Sequence, residues 1–418
     1  MLDIKLFREN PEAIKTSQKK RGKDEKLVDN VLELDQAWRD LLQQAEELKR
    51  ERNVVSEKIN QMKKEGKAAT AEIKKVKNVA DEIAKLDIKI SDALARRDSM
   101  RYKIGNILSN DVPLGTNIKV IRTWGTQPKF NFTPKAHADI IEDLDIADVT
   151  RAAELSGARF YYLKNELVKL NLALIHFAFD NLIAKGYTPM WTPYLLRHRP
   201  IEAAAELEDF KDQLYKIEGE ELYLIATAEQ TLAAFHMDEV LDENKLPLKY
   251  AGFSTNFRKE AGSHGKDTKG IFRVHQFDKV EQFIFCKPES SNAIHEDMVR
   301  VTEELFQKLG LPYRVISIPA QDLNDNAAKK YDIEVWFPAQ RQYRELISVS
   351  NCTDYQARKL NVKFGQDKEI AHTLNGTAIA TERAICAILE NFQQKDGSIK
   401  IPEVLQKYTG FKEIKVRR

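Results

Sequence analysis

Cysteine is scarce in this sequence, and no stretch of it stays apolar for long. The three cysteines, Cys286, Cys352 and Cys386, lie far apart and form no CxxC or Cys/His spacing, which argues against a disulfide framework and a zinc site. No apolar run approaches the roughly 20 residues that span a bilayer, and the first charge comes at Asp3. We therefore expect a protein of the reducing cytoplasm, with no zinc and no membrane partner.

The sequence also lacks the common nucleotide and hydrolase motifs and any large net charge. None of GxxxxGKS/T, GxGxxG, HExxH or GxSxG occurs, so the use of ATP cannot be inferred from a P-loop. Lys and Arg total 66 against 64 Asp and Glu, a net charge of +2. Attraction to a polyanion must therefore come from local clustering of charge. A length of 418 residues favours two domains and a linker.

Two segments near the N-terminus repeat apolar residues every seven positions. Only Arg52 interrupts the repeat in residues 31–62, and only Arg97 interrupts it in residues 76–104. The resulting stripe is narrow, as is typical of a coiled coil, and it predicts two long helices.

The six residues between these segments, 65–70, are too few for anything except a reversal of the chain. We therefore expect an antiparallel helical hairpin. If the turn centres near Lys67, Arg97 faces Trp38 across the hairpin. The expected cation–π contact would contribute about 0.5 to 1 kcal/mol if exposed.

The end of the predicted hairpin is strongly basic. Only Glu65 and Glu72 oppose seven lysines there, an electrostatic footprint suited to a phosphate backbone. The alternative is that these lysines only keep an exposed coiled coil soluble. The seven residues, called the tip lysines below, are Lys58, Lys63, Lys64, Lys67, Lys74, Lys75 and Lys77.

Beyond residue 110 the pattern changes to short strands and amphipathic helices. We predict an N-terminal domain at residues 1–110, a linker at 111–125 and a second domain at 126–418. The strands and helices do not alternate one for one, which favours an α+β domain with a mostly antiparallel sheet. Helices are predicted at residues 166–185, 228–241, 290–309 and 381–392, and strands at 222–225, 248–253, 279–285, 313–318, 331–337 and 343–350.

The most informative stretch reads FRKEAG at residues 257–262 and FRVHQFDKVE at residues 272–281. We expect two strands flanking a polar loop. Because residues alternate faces along a strand, one sheet face would gather two guanidinium groups, two carboxylates and an aromatic ring. Cross-strand Arg–Glu pairs also decorate ordinary solvated sheets, so the arrangement alone leaves both readings open. The residues of this face are Arg258, Glu260, Arg273, Phe277 and Glu281.

This stretch resembles motif 2 of class II aminoacyl-tRNA synthetases in its seryl form, FRxEAG and RxHQFxKVE around a variable loop. Other segments resemble further elements of the seryl-tRNA synthetases in the same order along the chain, and the helical arm matches as well. Motif 1 is matched by GYT at residues 186–188 and by Pro193, and the TAE element by residues 227–229. The metal-binding strand is matched by YRE at residues 343–345, by Ser348 and by residues 350–351. Motif 3 is matched from HTLNG at residues 372–376 to Arg383.

The resemblance is to the common, non-zinc branch of the family. It implies that serine reacts with ATP to form seryl-adenylate and pyrophosphate, and that serine then passes to the 3′ end of serine tRNA. Selenocysteine tRNA, where present, is a further expected acceptor. The tip lysines would grip the long variable arm of the tRNA. Motif 1, around Pro193, implies a homodimer.

The resemblance also assigns roles to the ATP site. Catalysis would fall to Arg258, Arg273 and Arg383. Arg258 would hold the α-phosphate and the serine carboxylate, and Arg383 the γ-phosphate, because a guanidinium binds oxygens through two N–H groups at once. Phe277 would stack on adenine, and Glu260 would accept a hydrogen bond from the adenine amino group.

Magnesium and serine complete the implied site. Glu345 and Ser348 would bind Mg²⁺ together with ATP, since this cation prefers oxygen ligands. A pocket built to pair with the serine hydroxyl would reject alanine. No nucleophilic side chain is needed, so Cys352 is expected to be structural. The residues expected to bind serine are Thr227, Glu229, Arg258, Glu281, Asn375 and Thr377.

Three departures from the family pattern bear on pocket shape and rate. Ala226 stands where proline is frequent, Glu382 stands where a small residue is common, and residues 201–208 lack an expected glycine-containing segment. Two other functions stay open. A synthetase-like paralogue that loads a carrier protein typically lacks the arm, and a non-catalytic RNA-binding adaptor would have no need of the charged residues. Those charged residues are Arg258, Glu260, Arg273, Glu345 and Arg383.

Overall fold

A computed structural model describes residues 1–204, 212–261, 267 and 269–417. The chain forms two compact units, Met1–Ile107 and Leu108–Arg418. Residues 201–208 lack the glycine-containing segment that the family pattern predicts, and residues 205–208 of this stretch lie outside the described residues. The domain limits at residues 110 and 125 stay predictions.

The first unit is built from helices whose ends follow from local residues. Asn10 caps the second helix by accepting a hydrogen bond from the N–H of Ala13 (3.2 Å), and Pro11 suits a first helical position, where no N–H partner is needed. Gly66 turns the chain with φ +71°, a left-handed conformation that glycine adopts easily. The helices are Ile4–Glu9 (α1), Pro11–Lys20 (α2), Lys26–Lys64 (α3) and Thr70–Tyr102 (α4).

Helices α3 and α4 pack along the predicted apolar stripe, so the predicted helical hairpin is confirmed. The chain reverses at residues 65–69, where the sequence predicts a turn. Arg52, the break in the first stripe, is only half-buried. The buried apolar residues of the stripe are Val31, Ala45, Val55 and Ile59 in α3 and Val79 and Ile83 in α4.

Arg97, the break in the second stripe, lies over Trp38, with 4.6 Å between the guanidinium carbon and the ring centroid. The predicted contact is confirmed, although Arg97 is only 6% exposed. Sequence analysis missed Asp35, a fully buried carboxylate that accepts hydrogen bonds from Arg97 (3.1 Å) and from Arg8 of α1 (2.7 and 2.8 Å). Burial raises the pKa of Asp35, but the two arginines outweigh it and hold the pKa below its ordinary value. A buried carboxylate needs such partners, which explains an arginine in the stripe.

The second unit contains many short strands and helices. In chain order the strands are Lys119–Trp124 (β1), Ala147–Asp148 (β2), Tyr162–Leu163 (β3), Thr188–Trp191 (β4), Leu195–Arg197 (β5), Leu222–Leu224 (β6), Val240–Leu241 (β7), Leu248–Phe257 (β8), Gln276–Cys286 (β9), Tyr313–Ser317 (β10), Lys329–Phe337 (β11), Gln342–Thr353 (β12), Lys363–Phe364 (β13), Glu369–Ile370 (β14), His372–Ala380 (β15), Ile399–Lys400 (β16) and Glu413–Ile414 (β17). The α-helices are His137–Asp143 (α5), Thr150–Ser156 (α6), Glu166–Ile183 (α7), His198–Ala204 (α8), Ala228–Ala234 (α9), Ser291–Leu309 (α10), Tyr355–Leu360 (α11), Thr381–Asn391 (α12) and Glu403–Thr409 (α13).

An eight-stranded sheet organises this unit, with the strand order β1-β10-β11-β12-β15-β9-β8-β4. All neighbouring strands run antiparallel except β4 and β8, which are parallel. The predicted α+β class with a mostly antiparallel sheet is confirmed. Edge strand β1 lies within residues 111–125, so part of the predicted linker belongs to this sheet.

Most predicted elements of this unit are confirmed. Helices α7, α10 and α12 end within two residues of the predicted limits, and a strand is present at each predicted strand position. The prediction of one helix over residues 228–241 is wrong, because α9 ends at Ala234 and residues 240–241 form β7. Asp238 has φ +64°, a conformation that a right-handed helix cannot include.

Strand β9 separates the main core from the opposite face of the sheet. Val280 and Ile284 pack into the core with side chains of α7, α10 and α12. Lys279 and Glu281 alternate with them and face a cleft on the other side. The period of two along a strand thus sends Val280 and Ile284 into the main core and Lys279 and Glu281 to the cleft. Further along the cleft side, Phe283 and Phe285 pack in a separate apolar cluster.

Candidate active site

One cleft of the second unit is lined by the end of β8, by β9, β12 and β15, and by the starts of α9 and α12. It encloses about 790 Å³, part of which is open to solvent. Every residue to which sequence analysis assigned ATP, serine or magnesium lies on its wall, although the separate roles stay predictions. These residues are Thr227, Glu229, Arg258, Glu260, Arg273, Phe277, Glu281, Glu345, Ser348, Asn375, Thr377 and Arg383.

The predicted strand positions of motif 2 need correction. Strand β8 ends at Phe257 and β9 begins at Gln276, so Arg258, Glu260 and Arg273 lie outside both strands. Glu260 has φ +50°, which turns the chain out of the extended conformation. The alternation argument therefore does not explain why these three residues meet. Arg273 and Glu260 instead form an ion pair of 2.9 Å.

His275 joins the two ends of motif 2. Its carbonyl accepts a hydrogen bond from the backbone N–H of Arg258 (2.9 Å), and its ring Nδ1 lies 2.7 Å from the carbonyl oxygen of Arg258. These contacts continue the strand pairing for one residue beyond β8 and β9. The position of Arg258 therefore depends on backbone contacts as well as on its own side chain.

The guanidinium of Arg258 is held between a carbonyl and a ring. Its Nε donates to the carbonyl of Ala226 (3.1 Å), and its carbon lies 5.0 Å from the ring centroid of Phe277. Burial lowers the pKa of Arg258, while Glu260 acts in the opposite direction. The departure from the family pattern at Ala226 does not affect this hydrogen bond, because alanine and proline both have a backbone carbonyl. The N–H of Ala226, which a proline would lack, donates to Gln230 (2.9 Å).

Lys279 is a wall residue to which sequence analysis assigned no role. It is 5% exposed, and its ammonium contacts the hydroxyl of Thr227 (2.6 Å) and the carboxylate of Glu281 (2.5 Å). Burial lowers the pKa of Lys279, and the charge of Glu281 opposes this shift. Its alternation with Phe277 and Glu281 along β9 could have identified it from the sequence.

A β-bulge brings Glu345 and Ser348 to one face of β12. Residues three apart in a regular strand point to opposite faces. The pairing of β12 with β11 slips by one residue at Leu346, and the extra residue restores a common direction. Sequence analysis named both residues by resemblance, but no local signal indicated the bulge that unites them.

The carboxyl of Glu345 is surrounded by cations. Enclosure by protein raises its pKa, but Arg383, Lys330, Arg258 and Arg273 more than compensate, and the pKa lies below its ordinary value. Arg383 donates to the carbonyl of Glu345 (3.1 Å) and approaches its carboxylate at 3.4 Å. The carboxylate is therefore ionised at neutral pH and available to a hard cation.

Two guanidinium groups pack against the ring of Phe272, a contact that sequence analysis did not predict. The guanidinium carbon of Arg344 lies 4.3 Å from the ring centroid, and that of Arg383 lies 5.2 Å away. The ring is 5% exposed, which favours strong cation–π attraction. Arg344 also donates to Asp267 (2.7 Å). Phe272 thus orients Arg383 toward the same cleft.

A second group of wall residues surrounds two carboxylates. Glu229 accepts a hydrogen bond from the amide of Asn375 (3.0 Å), and Glu281 accepts one from the hydroxyl of Thr377 (3.2 Å). Thr227 caps helix α9 by accepting from the N–H of Glu229 (3.1 Å). Acceptors and hydroxyls arranged in this way suit a small ligand with an ammonium and a hydroxyl group.

Glu382, a departure from the family pattern, is 2% exposed and lies beside Arg383. Its carboxylate accepts hydrogen bonds from the N–H of Asp278 (2.9 and 3.1 Å), from the hydroxyl of Thr381 (3.1 Å) and from the hydroxyl of Tyr161. Burial, followed by the charge of Asp278, raises the pKa of Glu382 to about 7. The network ties the start of α12 to β9, so this larger side chain has a structural place.

Known proteins match this chain along its whole length. A family model described as "Seryl-tRNA synthetase N-terminal domain" matches residues 1–108. Another, "tRNA synthetase class II core domain (G, H, P, S and T)", matches residues 211–392. A serine–tRNA ligase of Methanosphaera stadtmanae is 53% identical over 421 residues, which cover 99% of each chain. The chain belongs to the seryl-tRNA synthetase family.

Solved structures of seryl-tRNA synthetases share the fold. The enzyme of Pyrococcus horikoshii, solved in complex with ATP, is 47% identical with a TM-score of 0.94, and the match covers 100% of both chains. The cytoplasmic serine–tRNA ligase of Naegleria fowleri, solved with AMP, is 38% identical with a TM-score of 0.90 and covers 100% and 99%. The predicted family and the class II fold are confirmed.

In this member of the seryl-tRNA synthetase family, the tip lysines lie in the first unit and are all exposed. Among the described residues, Lys63, Lys64, Lys74 and Lys77 form no ion pair. The other three have carboxylate partners, namely Glu72 for Lys58 (3.0 Å), Glu65 for Lys67 (2.8 Å) and Glu51 for Lys75 (2.6 Å).

Two other features of this synthetase concern its surroundings. Pro193 of motif 1 follows strand β4, whose last residue, Trp191, is 74% exposed. Dimerisation through this region stays a prediction. No helix within the described ranges is both long enough and apolar enough to cross a bilayer.

Proposed function

We propose that this chain is a serine–tRNA ligase that forms seryl-adenylate and pyrophosphate from serine and ATP and then transfers serine to the 3′ end of serine tRNA. The observation that carries the proposal is the convergence of Arg258, Arg273 and Arg383 on one cleft. Relatives that match nearly the full chain are serine–tRNA ligases, and one related structure holds ATP.

The chemistry of serine activation explains the need for these arginines. The serine carboxylate attacks the α-phosphorus of ATP, so two anions meet while pyrophosphate leaves. Fixed cations in a partly enclosed site stabilise that growing negative charge. Arg258 would hold the α-phosphate and the serine carboxylate, Arg383 the γ-phosphate, and Arg273 would assist at the phosphates.

The adenine end of ATP would lie against Phe277 and Glu260. Phe277 presents an aromatic ring on the wall of the cleft, and Arg258 already lies near that ring. Glu260, now paired with Arg273, would accept a hydrogen bond from the adenine amino group. ATP binding would therefore require the Arg273–Glu260 pair to rearrange.

Magnesium would be held by Glu345 and Ser348. The bulge in β12 turns an ionised carboxylate and a hydroxyl toward the same cleft, and both are oxygen ligands that this cation prefers. Bound magnesium would neutralise charge on the phosphates of ATP. We expect no zinc in this process.

Serine would bind beside the carboxylates of Glu229 and Glu281, which could accept hydrogen bonds from its ammonium and hydroxyl. Thr227, Asn375 and Thr377 would complete the pocket. If the site pairs with the serine hydroxyl, alanine would leave buried polar groups without partners and bind poorly. No nucleophile is required, and Cys352 is buried beside Asn375 (3.4 Å) in a structural position.

The first unit would bind the tRNA. Exposed tip lysines suit contacts with the phosphate backbone of serine tRNA, and of selenocysteine tRNA where present. We also expect a homodimer through the Pro193 region and a cytoplasmic location. Residues 1–110 would bind tRNA, residues 126–418 would carry out catalysis, and residues 111–125 would join the two domains.

A serine-dependent ATP–pyrophosphate exchange assay on the full chain tests the first half-reaction. We expect exchange with serine and a much weaker signal with alanine or threonine. Charging of serine tRNA then tests the second half-reaction. An absence of serine-dependent exchange would refute the proposal, and exchange without tRNA charging would favour a carrier-loading paralogue.

A further inference from the structure

We infer that Gln356 is a positioning residue for serine recognition, acting through Glu229 and supported by Thr373. The inference rests on the proposed function, because it assumes that Glu229 contacts serine. Gln356 lies on α11 and Thr373 on β15, and both side chains have no surface exposed to solvent. Gln356 is not among the residues that line the cleft, whereas its partner Glu229 is, so we expect its effect on serine to pass through Glu229.

The amide of Gln356 links the hydroxyl of Thr373 to the carboxylate of Glu229. Its Nε2 donates to Oε1 of Glu229 at 2.7 Å, and its Oε1 accepts from the hydroxyl of Thr373 at 2.9 Å. The second hydrogen on Nε2 points toward the carbonyl of Ala204, 3.4 Å away. Each polar atom of this buried amide therefore has a partner.

The direction of this relay follows from the chemistry of its ends. The oxygen of Glu229 accepts from this amide, so the NH₂ group of Gln356 faces Glu229. Its oxygen then faces Thr373, whose hydroxyl has to donate. The opposite orientation would set the amide oxygen against the carboxylate oxygen. Gln356 thus has one favourable orientation, and it presents a fixed donor to Glu229.

Glu229 is held from two sides by this arrangement. Thr227 caps the helix that carries Glu229, which fixes the backbone, while Gln356 and Asn375 both donate to the same carboxylate oxygen (2.7 and 3.0 Å). Gln356 donates the shorter of these two hydrogen bonds, so its loss would weaken the hold on that oxygen and let the carboxylate rotate away from its place in the cleft. Asn375 also lines the cleft, where a ligand would contact it, so its hydrogen bond fixes the carboxylate of Glu229 less firmly than that of the buried Gln356.

A second buried Gln–Thr pair in the same unit provides matched controls. Gln282 on β9 and Thr302 on α10 are also fully buried, and the amide donates to the hydroxyl at 2.9 Å. Gln282 accepts from the hydroxyl of Tyr187 (2.9 Å) and faces away from the cleft. Equivalent substitutions in the two pairs therefore remove the same groups, and only the Gln356 pair reaches Glu229.

The test is Q356L in the full chain, with KM for serine and KM for ATP measured separately in pyrophosphate exchange. Loss of a hydrogen bond to a charged group predicts a serine KM about tenfold higher. We expect the KM for ATP to stay within about twofold. T373V, which removes only the hydroxyl, should raise the serine KM about threefold. Q282L and T302V should lower the melting temperature but leave both KM values within about twofold.

Three results would overturn the inference. One is an unchanged serine KM in both Q356L and T373V. Another is a parallel rise of the serine KM and the ATP KM in Q356L. The third is a rise of the serine KM in Q282L and T302V that equals the rise in Q356L and T373V. The second and third results would each indicate a general structural role. If Q356L does not fold, T373V against T302V decides the question. A parent chain without serine-dependent exchange would instead refute the proposed function, and this inference with it.

Discussion

The two units of this protein handle charge in opposite ways. At the tip of the hairpin seven lysines are exposed, where salt screens their field and water solvates them. In the cleft, cations such as Arg258 and Lys279 are enclosed, and each is held by a neighbouring oxygen or ring. Exposed cations suit attraction of a polyanion from a distance, whereas enclosed and oriented cations suit stabilisation of charge at the reacting atoms.

The largest expected effect concerns the enclosed cations. Replacing Arg258 with alanine should reduce serine-dependent pyrophosphate exchange about a thousandfold or more, because a preorganised donor at the phosphate is lost. The fold should survive, since Arg258 lies just beyond the end of β8 and not in the main core. Exchange kinetics together with circular dichroism and thermal melting would measure both expectations.

R314A is a matched control for R258A. Arg314 on β10 lies 4.9 Å from the ring centroid of Tyr343 and pairs with Glu334 on the neighbouring strand. Like R258A, R314A takes away a guanidinium held against a ring, but outside the cleft. We expect R314A to keep exchange within about threefold of the parent. Equal exchange rates in R258A and the parent would show that the cleft cations are not the activating groups.

The exposed cations should behave differently, with a smaller effect that depends on salt. The triple variant K63A/K64A/K74A removes tip lysines for which the structure shows no ion pair among the described residues. We expect tRNA affinity to fall about tenfold at low salt and the slope of log Kd against log salt to decrease by about 2, because fewer counterions are released. Binding titrations at several salt concentrations would measure this, with pyrophosphate exchange unchanged.

The variant K58A/K67A/K75A removes three tip lysines that already have carboxylate partners. Their ammonium groups must leave an ion pair before they contact a phosphate, so the fall in affinity should be only about threefold. If neither triple variant alters tRNA binding or its salt dependence, the lysines serve solubility alone. The comparison between the two units would then lose its functional meaning.

The two units also differ in how far their structure can be predicted from sequence. The hairpin depends on a local repeat, so the presence of two long helices, the turn between them and even the meeting of Arg97 with Trp38 follow from counting residues, although α3 and α4 begin up to six residues before the repeats. The cleft depends on the order of the strands in the sheet. A family pattern can name its wall residues, but local patterns cannot show that β12 has a bulge at Leu346.

The same limit explains the residues that sequence analysis missed. Phe272 meets Arg344 and Arg383 only because β12 and α12 both adjoin motif 2 in space. Asp35 was missed because a charged residue next to a coiled-coil stripe is usually solvated, and its arginine partner Arg8 comes from another helix. Lys279 is the exception, since simple alternation along β9 would have included it.

Buried charge in the second unit should also appear as a pH dependence of stability. The pKa of Glu382 is raised from 4.5 to about 7, so the folded state binds a proton more tightly than the unfolded state. The stabilisation is fully present below about pH 4.5 and is lost as the pH rises through 7. E382Q lacks this titration, so its stability relative to the parent should rise by about 1 to 2 kcal/mol between pH 5 and pH 8.

Urea unfolding of the parent and E382Q at several pH values would measure this difference. E369Q, at an exposed glutamate of β14, is a control that should follow the pH dependence of the parent. A constant difference between E382Q and the parent from pH 5 to pH 8 would contradict the prediction. The exposed charges of the hairpin tip offer no comparable buried titration.

The smallest expected effect lies in the first unit, where one cation is enclosed as in the cleft. Trp38→Leu should reduce the local stability of the hairpin by about 1 kcal/mol, because Arg97 would lose its ring contact while keeping Asp35. Trp38→Phe keeps a ring and removes a buried indole N–H for which no described residue is a hydrogen-bond partner, so it should cost less. Hydrogen exchange in the peptides around Trp38 and Arg97 would measure both. Equal protection in Trp38→Leu and the parent would mean that the carboxylates of Asp35 and Asp98 hold Arg97 without help from the ring, because the hairpin would then be as stable without the ring as with it.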